Sequence, residues 1–145
     1  MQKERPLGLD RTVCNCLALR QAARHISQIY DGYLASEGLR TTQYSVLAKL
    51  NRLGPLSINE LAKSMVMDRT TLGRAIRPLE RAKLLAIGEG EDGRTRSLRL
   101  TPTGEARLKA ASAKWRDAQK KFELTFGAQD AAQLRSVLER VVSIR

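Results

Sequence analysis

Aromatic residues, histidine and cysteine are scarce in this chain of 145 residues, a length that suits a single domain. Aromatic side chains make up only 4% of the sequence, which argues against a protein that binds single-stranded nucleic acid by stacking bases on aromatic rings. One histidine, two cysteines and no cluster of carboxylates leave little material for a metal site or for acid–base catalysis. We therefore expect a binding protein rather than an enzyme, with no metal and no cofactor.

Long hydrophobic runs are absent as well. No apolar stretch approaches the ~20 residues that a membrane span requires, and the first residues are polar, without the pattern of a targeting signal. The two cysteines, Cys14 and Cys16, lie too close in sequence to form a framework disulfide. These absences predict a cytoplasmic protein.

Positive charge, in contrast, is abundant. The chain carries 26 Lys and Arg against 15 Asp and Glu, a formal net charge of +11. Such an excess makes a polyanion the default partner, either nucleic acid or an anionic membrane surface. Because 42% of the residues are hydrophobic and recur in regular patterns, we expect a folded protein rather than a disordered basic tail.

Amphipathic helices are predicted at both ends of the chain. They cover residues 12–36, 103–126 and 130–144. Their apolar residues repeat every three or four positions and form narrow seams. A monomer of this size would leave much of this apolar surface exposed to solvent. We therefore predict a homodimer with residues 12–36 and 103–145 as its dimerisation helices; a monomeric bundle folded back on the middle of the chain is the alternative. Asp10 or Thr12 would cap the first helix.

Two short helices in the middle of the chain predict a helix-turn-helix. After a helix over residues 43–53, Ser57 and Glu60 have the spacing of a capping box and open a short helix. Asp68 caps the next helix, about residues 69–82.

Two apolar runs follow, residues 84–87 and 97–100, on either side of a glycine-rich turn. This pattern predicts a β-hairpin, the only strands that we expect. Residues 42–101 would then form a winged helix-turn-helix for DNA binding. The predicted fold class is mainly α, with six helices and a small β-hairpin wing.

The second helix of the helix-turn-helix has an outward face rich in arginine and threonine. With Leu72, Ile76 and Leu79 facing the core, the residues that face outward are Arg69, Thr70, Thr71, Gly73, Arg74 and Arg77. Arginine can bind guanine or phosphate, threonine a phosphate or a thymine methyl, and Gly73 allows close approach of the backbone. An ordinary solvated, charged face is the alternative.

The hairpin tip carries Asp92, Arg94 and Arg96. A carboxylate two residues before Arg94 is expected to hold its guanidinium extended, and such an arginine can enter a minor groove of negative potential. The alternative is a solvated turn with a local ion pair, worth under about 1 kcal/mol.

The order of these elements resembles the MarR family of winged-helix transcription regulators. The resemblance is carried by residues 57–62, 68–72, 79–80 and 92–104, and the last of these segments ends in Leu-Thr-x-x-Gly. It implies a homodimer that binds an inverted repeat of double-stranded DNA, with the recognition helix in the major groove and the wing in the minor groove. Most such proteins repress transcription, and leave DNA when a small, often aromatic or phenolic, effector binds or a cysteine is oxidised.

Two positions depart from the family pattern. Pro78 lies inside the recognition helix, where it removes one N–H and is expected to bend the helix. Lys83 stands between the recognition helix and the first wing strand, where the family usually has glycine. If the left-handed backbone persists there, the lysine costs roughly 1 kcal/mol.

The resemblance also implies an effector pocket between the dimerisation helices and the winged part. The candidate residues are Arg20, His25, Tyr30, Tyr44 and Trp115. Each is also explained as an ordinary core, cap or solvated residue.

Cys16 is a candidate redox residue. Peroxide-sensing relatives place a reactive cysteine near the start of the first helix and a tyrosine fourteen residues later, as Cys16 and Tyr30 are placed here. Arg20 and Thr41 occupy the positions of the two further tyrosines in those relatives, and a core cysteine in the dimer seam is the alternative. Side chains two apart on a helix diverge by roughly 200°, so Cys14 and Cys16 cannot share a metal ion.

The sequence thus predicts a homodimeric repressor that a small effector releases from an inverted-repeat operator, with DNA and no membrane as its partner. One alternative is a thiol-based peroxide sensor that uses Cys16. Another, which the net charge alone would allow, is an architectural protein that binds nucleic acid of any sequence.

Overall fold

The computed structural model of the protein describes residues 11–145. This part of the chain folds into six α-helices and a three-stranded antiparallel sheet with the strand order β1-β3-β2. The helices are α1 (Asn15–Leu34), α2 (Thr41–Leu53), α3 (Ile58–Met65), α4 (Arg69–Arg81), α5 (Pro102–Phe126) and α6 (Ala128–Val142). The strands are β1 (Leu56–Ser57), β2 (Leu85–Glu89) and β3 (Arg96–Leu100), and a 3-10 turn, Ala35–Glu37, follows α1. The predicted mainly α, winged helix-turn-helix class with six helices is confirmed.

The expectation that the hairpin supplies the only strands was wrong. Leu56 and Ser57 pair with Leu98 and Ser97 of β3, so β1 adds a short edge strand directly before α3. A strand of two residues has no alternating pattern that sequence analysis can detect, since its pairing depends on tertiary structure.

The hydrophobic core lies between α2, α3, α4, the sheet and the first half of α5. The large side chains buried most completely are Leu34, Val46, Leu47, Leu61, Leu72, Leu79, Leu84, Leu85 and Leu98. Leu72, Ile76 and Leu79 of α4 face this core, as predicted. Each buried side chain of this size stabilises the fold by roughly 1.5–3 kcal/mol, so α4 is firmly held with its other side in solvent.

Two predicted helix caps, Ser57 and Asp68, are confirmed, and α5 begins one residue earlier than predicted. The Ser57 hydroxyl accepts a hydrogen bond from the N–H of Glu60 (3.1 Å), and Asp68 accepts one from the N–H of Thr71 (2.8 Å). Thr101 caps α5, which begins at Pro102. Polar caps satisfy N–H groups that the helix itself leaves unpaired.

The start of α1 corrects another expectation. Its N-cap is Cys14, whose Sγ accepts a hydrogen bond from the N–H of Leu17 (3.4 Å), and not Thr12. Asp10, the other predicted cap, lies outside the described residues. At the next junction, α2 begins two residues earlier than predicted, because Asp31 of α1 accepts a hydrogen bond from the N–H of Thr41 (2.7 Å).

The junction between the wing and α5 is held by Thr101 and Gly104. The Thr101 hydroxyl donates to the carbonyl of Lys83 (2.6 Å) and accepts from the N–H of Gly104 (3.0 Å). A side-chain carbon at Gly104 would overlap the carbonyl of Leu84, so only glycine fits there. Lys83 adopts a left-handed backbone, with a φ of 59°. The base of the wing is thereby fixed to the first turn of α5.

Candidate nucleic-acid interface

The outward face of α4 is polar and basic. Arg69, Arg74 and Arg77 are exposed, and so are the two threonines at its start. A side-chain carbon at Gly73 would meet open space, so the backbone can be approached there from outside. The predicted recognition-helix residues therefore share the solvent face of a helix whose other face is buried.

Thr70 and Thr71 differ in whether their hydroxyl groups form hydrogen bonds within the protein. The hydroxyl of Thr71 donates to the carboxylate of Asp68 (2.7 Å), the N-cap of the helix. The N–H of Thr71, followed by its hydroxyl, holds the pKa of Asp68 below its usual value. Thr71 therefore helps to fix the start of α4, while no such bond involves the side chain of Thr70 among the described residues.

The wing tip is organised by Asp92. Its carboxylate accepts hydrogen bonds from the Thr95 hydroxyl (2.6 Å), the Thr95 N–H (3.0 Å) and the Arg94 N–H (3.0 Å). These bonds, that of the Thr95 hydroxyl first, lower the pKa of Asp92 to about 2. The turn is closed by the N–H of Gly90, which donates to the carbonyl of Thr95 (2.6 Å).

This arrangement corrects the expected role of Asp92. The carboxylate binds the backbone of Arg94 and not its guanidinium, and within residues 11–145 the one ion pair joins Arg135 to Glu123 (3.8 Å). Asp92 therefore shapes the turn from which Arg94 projects and leaves the guanidinium unpaired.

The structure brings α4 and the wing together around one concavity of about 460 Å³. Arg69 of α4 lines it, together with Arg94 and Arg96 of the wing. Ser57 and Asn59 at the start of α3 complete its wall, and sequence analysis did not single these out as site residues. The capping-box spacing of Ser57 was the one available signal, and it indicated only a helix start.

The five predicted effector residues do not share a cavity. Tyr44 stacks on Trp115, with ring centroids 6.1 Å apart, against the core where α5 meets the winged part. Tyr30 lines a different groove, where its hydroxyl donates to Gln119 (2.5 Å). Burial raises the pKa of both tyrosines. Arg20 and His25 are exposed on α1 and line neither region.

The groove beside Tyr30 is apolar and has a volume of about 700 Å³. It lies between the predicted dimerisation helices α1, α5 and α6, and Ala22, Phe122 and Leu138 are among its walls. Its polar residues are Tyr30, Gln119 and Arg135.

Both cysteines are free thiols. Cys16, the candidate redox residue, is exposed on the first turn of α1, while the half-buried Cys14 caps the helix. The capping role of Cys14 could not be predicted from the sequence, because a thiol is a weak acceptor and an uncommon cap.

Comparison with known proteins bears on what this surface binds. Residues 39–86 match the model of the MarR family. The chain is 33% identical to the transcriptional regulator MosR of M. tuberculosis in a crystal structure with DNA; the match has a TM-score of 0.74 and covers 88% of this chain and 98% of that one. The chain belongs to the MarR family.

Two further similarities accompany this MarR-family assignment. The HTH-type transcriptional regulator YxaD of Bacillus subtilis is 28% identical over 104 residues, which are 71% of this chain and 73% of YxaD. BpsR of Bordetella bronchiseptica, whose DNA binding is regulated by 6-hydroxynicotinic acid, is similar with a TM-score of 0.77, over 88% of this chain and 92% of its own. At 23% identity, that similarity concerns the fold alone.

The MarR-family chain is a DNA-binding transcriptional regulator. Across residues 11–145, no helix combines the length and the apolar character needed to cross a bilayer. The same part of the chain contains no group of three or more His, Cys, Asp or Glu side chains arranged to hold a metal ion.

Proposed function

We propose that this MarR-family regulator is a homodimeric repressor that leaves an inverted-repeat operator when a small effector binds. The observation that carries the proposal is the concavity at which Arg69 of α4 meets Arg94 and Arg96 of the wing. A helix and a hairpin that present unpaired arginines side by side suit adjacent grooves of one duplex.

The proposed base and phosphate contacts of the recognition helix lie along the solvent face of α4. They are Arg69, Thr70, Thr71, Gly73, Arg74 and Arg77. Arg94 and Arg96 would enter the minor groove, and Asp92 would hold the turn that carries them. In this division of the chain, residues 42–101 bind DNA, and residues 12–36 and 103–145 dimerise.

The apolar residues of α1, α5 and α6 support the second copy as a partner. Apart from Leu53 and Val66, the large hydrophobic residues exposed within residues 11–145 lie on or next to these helices: Val13, Leu19, Ile29, Leu124, Phe126, Val137, Leu138, Val142 and Ile144. In α6, Ala131 is the one buried residue. An isolated helix of this length is marginal in water, so a partner that covers its apolar side would stabilise it.

The effector is a proposal that rests on the family. Tyr44 and Trp115 lie where α5 meets the winged core, so an effector that separates these parts would contact them first. Arg20, His25 and Tyr30 would contribute only if a partner subunit brought them to the same site. An aromatic acid is one class to examine, since 6-hydroxynicotinic acid regulates BpsR.

Oxidation of Cys16 is the second candidate signal, and its exposure at the start of α1 favours access by a peroxide. Cys16→Ser should then abolish peroxide-induced release from DNA while operator affinity stays the same. If peroxide still releases this variant from DNA, Cys16 is not the peroxide-sensing residue.

Selection from a pool of random duplexes tests the proposed function. We expect the protein to enrich an inverted repeat whose half-sites lie about 34 Å apart, one helical turn, because a two-fold dimer presents two copies of α4. A pool that stays random after selection would favour the architectural alternative.

A further inference from the structure

The turn that follows α1 is held by an arginine from α5. Arg107 is half-buried, and its Nη1 donates a hydrogen bond to the carbonyl of Glu37 (3.0 Å), the last residue of the 3-10 turn after α1. The carbonyls at a helix end carry partial negative charge, and neither α1 nor the 3-10 turn has a basic residue near its own C-terminus. Arg107 therefore supplies, from 70 positions away in the sequence, the cation that this helix end lacks.

This bond acts on the path of the main chain. Its acceptor is a backbone carbonyl, and directly after it the chain bends at Gly38, which has a left-handed φ of 68°. A side-chain carbon at Gly38 would lie 3.6 Å from Nη1 of Arg107, so the guanidinium packs against the bend itself. Arg107 thus fixes the point at which the chain passes from α1 towards α2.

The same first turns of α5 also hold the base of the wing. Three residues before Arg107, Gly104 lies against the carbonyl of Leu84, and the Thr101 hydroxyl donates to the carbonyl of Lys83 (2.6 Å). Residues three apart on a helix are neighbours on its surface, about 4.5 Å apart along the axis. The start of α5 is therefore attached both to the end of the recognition helix and to the end of α1.

We propose that Arg107 is a positioning residue for operator binding, because it sets the orientation of α4 and the wing relative to α1. In the proposed homodimer, on which this inference rests, α1 belongs to the dimer interface, so this orientation fixes the distance between the two recognition helices. The 13 residues of α4 make it about 20 Å long. A tilt of about 10° at its attached end would displace Arg69 at the far end by about 3.5 Å, which is one base-pair step of the duplex.

A comparison of a single half-site with the full operator separates this role from a direct DNA contact. Arg107→Met keeps an aliphatic side chain and removes every donor. Leu34 and Leu39 on either side of the turn are only 0% and 2% exposed, so the variant should still fold. Its affinity for a half-site duplex, measured by fluorescence anisotropy, should stay within about twofold of the wild type, since one recognition helix and one wing suffice. Its affinity for the full operator should fall at least about tenfold, because both recognition helices must then lie at the correct distance.

The spacing of the half-sites gives a readout that a general loss of stability would not produce. One base pair inserted into or deleted from the centre of the inverted repeat recovered by selection moves one half-site by about 3.4 Å and rotates it by about 35°. The wild type should lose most of its affinity for both altered repeats. For Arg107→Met, the affinities for the three repeats should differ by less than about threefold, because the winged parts are freer to reorient.

Two further variants link the effect to the bond. Arg107→Lys keeps the charge and one donor, so its spacing preference should fall between those of Arg107→Met and the wild type. Lys109→Met removes one positive charge from an exposed position two residues further along α5, and it should behave like the wild type with every duplex.

Three results would overturn the proposal: a wild-type spacing preference in Arg107→Met, equal losses of half-site and full-operator affinity in that variant, or the same flattened preference in Lys109→Met. A wild-type protein that binds the half-site as tightly as the full operator would contradict the proposed function, and the role of Arg107 with it. A failure confined to the variants would contradict only the role of Arg107.

Discussion

The carboxylate of Asp92 accepts two hydrogen bonds from Thr95, one from its N–H at 3.0 Å and one from its hydroxyl at 2.6 Å. Both residues are exposed at the wing tip, so these bonds shape the turn without adding to the core. Arg94 lies between them, and its direction depends on the turn that they close.

Asp92→Ala should therefore weaken operator binding without unfolding the protein. The variant loses three acceptor contacts in the turn, so Arg94 no longer projects in a fixed direction and more conformational entropy is lost on binding. We expect several-fold weaker binding by fluorescence anisotropy, while the variant still unfolds cooperatively at a slightly lower urea midpoint. Asp92→Asn, which keeps one acceptor oxygen, should lie between the variant and the wild type. Wild-type affinity in Asp92→Ala would contradict the role given to this turn.

The titration of Asp92 gives a second test of the same turn. Its pKa is about 2 in the folded protein, against an ordinary value of 3.8. Because the folded pKa is the lower one, the stabilisation is complete above the ordinary value and is lost as the pH falls through 3.8 towards 2. The Asp92 carboxyl, followed by NMR, should remain ionised at pH 3.8; a midpoint at that pH would show that the bonds do not form in solution.

Gly104→Ala should destabilise the protein, because its new methyl group would overlap the Leu84 carbonyl at the base of the wing. Overpacking of this kind against backbone costs about 1–3 kcal/mol, measurable by urea denaturation. Gly73→Ala is the control, since it places the same methyl group in open space on α4 and should raise stability by roughly 0.5–1 kcal/mol. Equal stability of Gly104→Ala and the wild type would show that the Leu84 carbonyl can move away.

Leu138→Lys tests the apolar groove as a dimer interface. Leu138 lines the groove and is 36% exposed in the single chain, so a lysine there would bury a charge if a second copy covers it. Sedimentation should show that the affinity of dimerisation falls by at least about 30-fold. Gln133→Lys, on the exposed side of α6 away from the groove, should stay dimeric. A Leu138→Lys protein that dimerises like the wild type would place the interface elsewhere.

Local signals made much of the fold predictable. Ser57, Asp68 and Thr101 cap their helices through bonds to residues three positions away, and such bonds are encoded in short stretches of sequence. The buried stripe on α4 follows in the same way from helical periodicity, whereas the left-handed backbone of Lys83 was implied only by the resemblance to a family that usually has glycine there.

Contacts between distant segments could not be predicted. The pairing of β1 with β3 and the bond from Thr41 to Asp31 depend on how the elements pack. Arg69 and Arg96 line one pocket for the same reason. An entire helix and a strand separate them in the sequence, so only the packing of these elements brings them together. The sequence therefore identifies the basic residues, and the structure shows which of them lie around one concavity.

Arg94→Ala examines the wing as a DNA contact. The side chain is exposed and unpaired, so its removal should leave the fold intact and weaken operator binding by about 1–3 kcal/mol. Lys121→Ala, which removes a positive charge from exposed α5, is the control for net charge and should cost much less. If the two variants lose the same operator affinity, Arg94 contributes only through its positive charge and not through a specific contact of the wing.

Competition between two duplexes at physiological salt tests the central claim most directly. The protein is bound to the inverted repeat recovered by selection, and an unlabelled duplex of the same length and scrambled sequence is added. If α4 and the wing recognise sequence, the scrambled duplex should compete at least about 1,000-fold less well than the repeat itself. Equal competition by the two duplexes would contradict the account, because net charge alone would then explain the binding.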